Sequence, residues 1–182
     1  MKGWICIWIC CGSSGGYVEM YSSFTENYKI RKMNKSEYPL LEKFLYEAIF
    51  IPEGADLPPQ NIIELPELQV YIKNFGTDIS DKAIVAEVKD RIAGAVWVRI
   101  MNDYGHVDDK TPSFAISLLK EYRGLGIGTD LMKCMLSWLK KDGYAKASLS
   151  VQKENYAVKL YQNVGFTIVD ENDNEYIMII NL

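Results

Sequence analysis

Seven residues, Arg123-Gly124-Leu125-Gly126-Ile127-Gly128-Thr129, constrain this chain more than any others. Upstream, Phe114-Ala115-Ile116-Ser117-Leu118-Leu119 is short and apolar and follows Thr111-Pro112, which suits a largely buried strand. Downstream, Leu131, Met135, Trp138 and Leu139 recur at helical spacing opposite Asp130, Lys133, Ser137, Lys140 and Lys141. The glycines therefore fall where a strand turns into a helix. The first amides of a helix have no intrahelical acceptor, and the helix dipole adds positive potential there, so an anion is favoured. Glycine lets the backbone approach that anion closely, and Arg123 adds a fixed charge able to pair with phosphate oxygens.

Spacing excludes two phosphate motifs. A Walker loop needs Gly-Lys-Ser/Thr, and here Gly128 is followed by Thr129 and Asp130. A dinucleotide fingerprint needs Gly-x-Gly-x-x-Gly, whereas Gly124, Gly126 and Gly128 alternate.

The run from Tyr122 to Thr129, with Arg123, Gly126 and Gly128 in an Arg-x-x-Gly-x-Gly pattern, resembles the acyl-CoA signature of the GNAT family of N-acetyltransferases. A second block, Asn155-Tyr156-Ala157-Val158-Lys159-Leu160-Tyr161-Gln162-Asn163-Val164-Gly165-Phe166, is similar to that family's Asn-x5-Leu-Tyr-x3-Gly-Phe helix. The resemblance implies acetyl-CoA as co-substrate, with its pyrophosphate on the backbone of Arg123, Gly124, Leu125, Gly126, Ile127, Gly128 and Thr129. It also implies Asn155 as a contact to the pantetheine arm, and Tyr161 beside the thiol as proton donor to the departing thiolate, a role a phenol can fill. Leu118 and Leu119 are expected to offer free backbone N–H groups to the pantetheine amides and the thioester carbonyl.

Periodicity elsewhere predicts strands and helices of one domain over residues 28–182, and the resemblance implies an α/β class with an α+β mixed sheet. A strand at 28–33 precedes a helix starting near Asn34 or Ser36 with Pro39 in its first turn. A second helix is expected from Pro66 to Gly76. Strands at 83–88 and 92–100 form a hairpin across Lys89-Asp90-Arg91, and later strands are expected at 146–151, 166–170 and 176–181. With helices after the signature and at 155–163, the order is β-α-α-β-β-β-α-β-α-β-β, which the resemblance identifies as the GNAT fold.

Residues 1–27 read as a leader outside that domain, unstructured or not native, with Met20 as an alternative start. Its apolar run from Trp4 to Cys11 is too short to span a bilayer, and Cys6, Cys10 and Cys11 are remote from the one histidine, which disfavours zinc. No metal is expected. A net charge of −4 over 182 residues gives no basic surface for nucleic acid. No membrane partner is expected either, and acyl-CoA chemistry without a disulfide framework points to the cytoplasm. The resemblance allows a homodimer.

The expected reaction is direct attack of a primary amine on acetyl-CoA through a tetrahedral intermediate; the alternative is a catalytically silent acyl-CoA-binding module. Cys134, inside the helix, is a poor nucleophile candidate. The general base is open. The strand before the signature has no carboxylate, leaving Glu87, His106 and Asp108, with Ser117 as a relay or mere packing, or ordered water alone. Acidic Glu53, Asp56, Glu64 and Glu67 near the expected acceptor region favour a cationic amine, small or peptidic.

Overall fold

The computed structural model describes residues 28–52 and 54–182. The leader expectation for residues 1–27 and the reading of Glu53 lie outside them.

Seven strands form one mixed sheet: β1 (Tyr28–Lys32), β2 (Lys82–Val88), β3 (Arg91–Arg99), β4 (Ser113–Leu118), β5 (Lys146–Gln152), β6 (Thr167–Glu171) and β7 (Glu175–Asn181), in spatial order β1-β2-β3-β4-β5-β7-β6. The helices are α1 (Leu41–Ala48), α2 (Pro66–Gln69), α3 (Ile127–Lys141) and α4 (Ala157–Val164). The predicted order of elements is met, and the sheet is mixed, as expected for this fold class.

Both faces of the sheet are covered, which is why β2 and β3 read as nearly unbroken apolar runs. Strand alternation divides their side chains. Ile84, Ala86, Val96 and Val98 pack under α3 with Leu131, Met132 and Met135. Ala83, Val85, Ala95 and Trp97 pack under α1 with Leu41, Phe44 and Leu45. Lys89 and Asp90 both adopt left-handed backbone (φ 48° and 61°), the two-residue turn whose twist matches a hairpin.

Two helices depart from expectation. The first starts as a 3-10 helix (Lys35–Leu40) and becomes α-helical only at Leu41, because Pro39 has no N–H to give an α-helical ladder. The second is one turn, Pro66–Gln69, not a helix to Gly76. Side chains from β3 and its end take the carbonyls that would continue it: Arg99 donates to the Val70 and Lys73 oxygens at 3.0 and 2.9 Å, and the Trp97 indole donates to Tyr71 at 3.2 Å. Tertiary hydrogen bonds here override local propensity.

Candidate functional site: a split in the sheet beside a glycine turn

β4 is bonded to β3 along its whole length, from Gly94 opposite Leu118 to Arg99 opposite Ser113. Its pairing with β5 is confined to Ser113 beside Ser148, supported by Ser148 N–H donating to the Pro112 carbonyl at 3.0 Å. Beyond that point the strands part, leaving a wedge that opens toward their C-terminal ends. Leu119 N–H donates to Ala93 at 2.9 Å, which sets the phase of the β3–β4 ladder. Alternate residues Phe114, Ile116 and Leu118 therefore turn their backbone groups away from β3, toward the wedge. The expectation of a free amide is thus not met at Leu119, whose N–H is committed to the ladder. At Leu118 the carbonyl is occupied by Arg123 Nε at 2.8 Å.

The glycine turn stands at the mouth of the wedge. Gly124 (φ 77°) and Gly126 (φ 86°) are left-handed, and a Cβ on either would meet nothing within 4 Å. That open space lies over the N-terminus of α3, where the first amide to find a helical acceptor is Asp130, on Gly126 at 3.2 Å. The amides of Ile127, Gly128 and Thr129 precede it and have no intrahelical acceptor, as an anion cradle requires. At Gly128 the contact is close, 3.3 Å from a Cβ position to Leu118 Cδ1, so strand and helix touch there.

Arg123, which the signature suggests for phosphate, is engaged by protein groups on two of its nitrogens. One Nη donates to the Glu47 carboxylate at 2.9 Å and to the Glu47 carbonyl at 3.2 Å, while Nε holds Leu118. Its guanidinium ties the end of α1 to the turn. Asn155 uses its side-chain carbonyl to accept from Ala157 N–H at 2.9 Å, closing a local turn at the entry to α4.

Tyr161 is buried in the core on the α3 side, edge-on to Phe166. Burial, and secondarily Tyr156, pushes its phenol well above the ordinary value, so it carries its proton at neutral pH. Among the described residues, no hydrogen bond or ion pair joins Tyr161 to Glu87 or His106. Glu87 accepts from Arg31 Nε at 2.8 Å and is ion-paired to an Arg31 Nη at 2.7 Å, within a cluster that includes Glu37. Its carboxylate is thus engaged by a guanidinium rather than directed at the split. His106 Nδ1 lies 2.9 Å from the Met101 carbonyl, and its Nε2 is 3.8 Å from Asp109. Asp108 is held below the usual carboxylate range, first by the Lys110 N–H and then by the Thr111 hydroxyl. Ser117 donates to the Phe44 carbonyl at 2.7 Å, anchoring α1 to β4, which is a packing role. Burial, then Asp130, pushes the Cys134 thiol up to about 11, so thiolate is scarce at neutral pH.

Sequence reasoning passed over a polar group on the α1 side of the split: Tyr71, Asp103, Ser113 and Glu175. Its members come from four separate elements or connections, and only the register of β4, β5 and β7 brings them together. No motif announces them.

Among the described residues, no group of three His, Cys, Asp or Glu is arranged to hold a metal ion, and no helix is long and apolar enough to cross a membrane.

Comparison with known proteins accords with this geometry. Residues 44–166 match the model of the acetyltransferase (GNAT) family. The zebrafish (Danio rerio) protein N-alpha-acetyltransferase 50 is 31% identical over 137 residues, covering 68% of this chain and 79% of that protein. A GNAT-family acetyltransferase structure from Streptococcus pneumoniae superposes with a TM-score of 0.61 at 20% identity, over 85% of this chain and 99% of that one. The PaiA N-acetyltransferase of Thermoplasma acidophilum, solved with coenzyme A, gives a TM-score of 0.61 at 19% identity over 85% of this chain and 99% of that one. On the family match and the shared fold, the chain belongs to the acetyltransferase (GNAT) family and is an acetyl-CoA-dependent acyltransferase.

Proposed function

We propose that the protein transfers the acetyl group of acetyl-CoA to a primary amine by direct attack, through a tetrahedral intermediate and with no covalent enzyme intermediate. The observation that carries this reading is the wedge between β4 and β5, with the glycine turn at its mouth and Tyr161 on the α3 side. In this reading the amides at the start of α3 hold the pyrophosphate and the Leu118 N–H lies along the pantetheine arm. Asn155 supports the arm from the turn that enters α4. A donor near the thioester carbonyl stabilises charge that grows as the amine attacks. Tyr161 gives its proton toward the sulfur as the carbon–sulfur bond breaks. The raised pKa of Cys134 supports direct attack over an acyl-cysteine route.

A peptide α-amine is the acceptor we favour among primary amines, supported by the name of the zebrafish relative. The reading needs no metal, and the supply of acetyl-CoA suits a cytoplasmic setting.

Tyr161→Phe tests the acid assignment. It keeps the packing against Phe166 and removes the hydroxyl, so kcat should fall about 10- to 100-fold, at or below the lower end of general-acid contributions. Affinity for acetyl-CoA, read by calorimetry, should stay within about threefold, since the turn and wedge are untouched. Thiol release at the wild-type rate would remove Tyr161 from the mechanism.

A further inference from the structure

On the α1 side of the split, a set of buried polar groups is built without any role in the chemistry described so far. The Tyr71 hydroxyl donates to Asp103 Oδ2 at 2.9 Å, and the Ser113 hydroxyl donates to the same oxygen at 2.7 Å. The other oxygen, Oδ1, is buried with no hydrogen-bond partner. Ser148, beside Ser113 in the β4–β5 register and 0% exposed, also has an unpartnered hydroxyl. The loop carrying Asp103 lies tightly on the strands, for a Cβ at Gly105 would come within 2.9 Å of Ser150 N and Ser113 Oγ. Buried polar atoms without partners are uncommon, and they cluster here where the sheet divides.

Glu175 completes the set. It opens β7 opposite Gln152 of β5, whose side-chain amide donates to it at 3.3 Å. Burial and, secondarily, the charge of Asp103 raise its carboxyl above the ordinary value. Among the described carboxylates it is the one displaced upward, whereas Glu87 is pinned by Arg31 and Asp108 is displaced downward. Strand alternation puts Phe114, Leu149 and Val151 in the α3-side core with Tyr161, so Ser113, Ser148, Ser150 and Gln152 face the other way. The proton donor and this carboxyl pair thus stand on opposite faces of one gap.

We propose that Glu175 takes the proton of the acceptor's ammonium, and that Asp103, fixed by Tyr71 and Ser113 on the same face of the split, is the positioning residue that seats a cationic primary amine. This rests on the reading of the chain as an amine acetyltransferase. Two carboxylates sharing a half-buried space repel, and an entering cation relieves that repulsion. No protein donor meets Asp103 Oδ1, so part of that carboxylate's charge is left for a cation nearby. In sequence, Glu175 removes one proton from R–NH3⁺ and passes it to water. The neutral nitrogen forms a bond to the acetyl carbon. The carbon–sulfur bond then breaks, the second proton leaves nitrogen, and the sulfur is protonated through Tyr161. The products are the acetamide, free CoA thiol and one proton, with no net redox change.

The test is thiol release from acetyl-CoA by the full chain, with putrescine, an N-terminally blocked lysine peptide and a peptide with a free α-amine as probes. Glu175→Gln keeps the shape and the Gln152 contact, and should lower kcat about 100- to 1,000-fold with the KM for acetyl-CoA unchanged. The acid limb of the wild-type pH profile should disappear with it. The titratable groups facing Glu175 are Asp103 from the loop after β3 and Tyr71 from the turn after α2, while β5 contributes the uncharged Gln152. Removing the neighbouring negative charge by Asp103→Asn lowers the Glu175 pKa, so in that variant the acid limb should move to lower pH. A purely structural role for either carboxyl would not produce these shifts. A folded Glu175→Gln variant with the wild-type pH profile and turnover overturns the proposal and leaves acetyl transfer standing. A wild-type chain that releases no thiol with any probe overturns the acetyl-transfer reading and this proposal with it.

Discussion

Gly126→Asp is expected to weaken acetyl-CoA binding by about 100-fold or more while leaving the fold intact. Gly126 sits at φ 86°, and a Cβ there would meet no protein atom within 4 Å. Aspartate and asparagine are the non-glycine residues that best tolerate left-handed backbone. Both carry a similar backbone strain at this φ, so the charge can be isolated by comparing the two. A carboxylate near a bound pyrophosphate at an effective dielectric near 20 costs about 4 kcal/mol at 4 Å. The expected 100-fold loss is about 2.8 kcal/mol, within that bound. Gly126→Asn, with the same shape and no charge, should lose about tenfold or less. Calorimetric titration of each variant with acetyl-CoA checks this, and equal losses for Asp and Asn would mean that the turn does not hold the anion.

Trp97→Ala should cost about 3–5 kcal/mol of folding free energy, the range for a large aromatic removed from a core. Trp97 is 0% exposed at the centre of the α1-side core, against Leu41, Phe44 and Val85. Its indole also satisfies the Tyr71 carbonyl at 3.2 Å, so truncation leaves an unsatisfied buried acceptor. Against a typical total of about 5–15 kcal/mol, such a loss leaves a marginal domain. A urea unfolding midpoint lowered by about 1 M or more is the measured sign; a midpoint within error of wild type would refute the packing role. Because Trp97 faces away from α3, the surviving folded fraction should still bind acetyl-CoA at low temperature.

What the chain reveals before folding is uneven, and the unevenness has physical causes. The glycine turn and the Asn155–Tyr161 block were legible because their geometry is local: alternate glycines, a helix start and a turn that enters a helix are specified by neighbouring residues. Strand periods were legible for the same reason, and the order of elements follows from them. The extent of α2 was not, since Arg99 and Trp97, about thirty residues away in sequence, capture its carbonyls. Nor was the pairing of Glu87 with Arg31, which depends on the antiparallel register of β1 and β2. Arg123 illustrates the limit at a single side chain. Its position in the signature suggested phosphate, and only the approach of Glu47, 76 residues earlier, shows where its guanidinium goes.

That last contact bears on how far the two halves of this enzyme can be altered independently. Glu47 lies in the last turn of α1, on the side of the sheet to which the proposed function assigns the acceptor, yet its carboxylate and carbonyl both rest on the residue that opens the glycine turn. Transplanting acceptor segments from another family member is therefore not a modular operation across this boundary. A graft that replaces residues up to and including α1 must bring its own partner for Arg123, or it will disturb the donor side it was meant to spare. A graft that begins after Glu47 leaves the guanidinium satisfied and exchanges only the loop and α2. The seam for re-engineering acceptor choice runs through the end of one short helix, not between two domains.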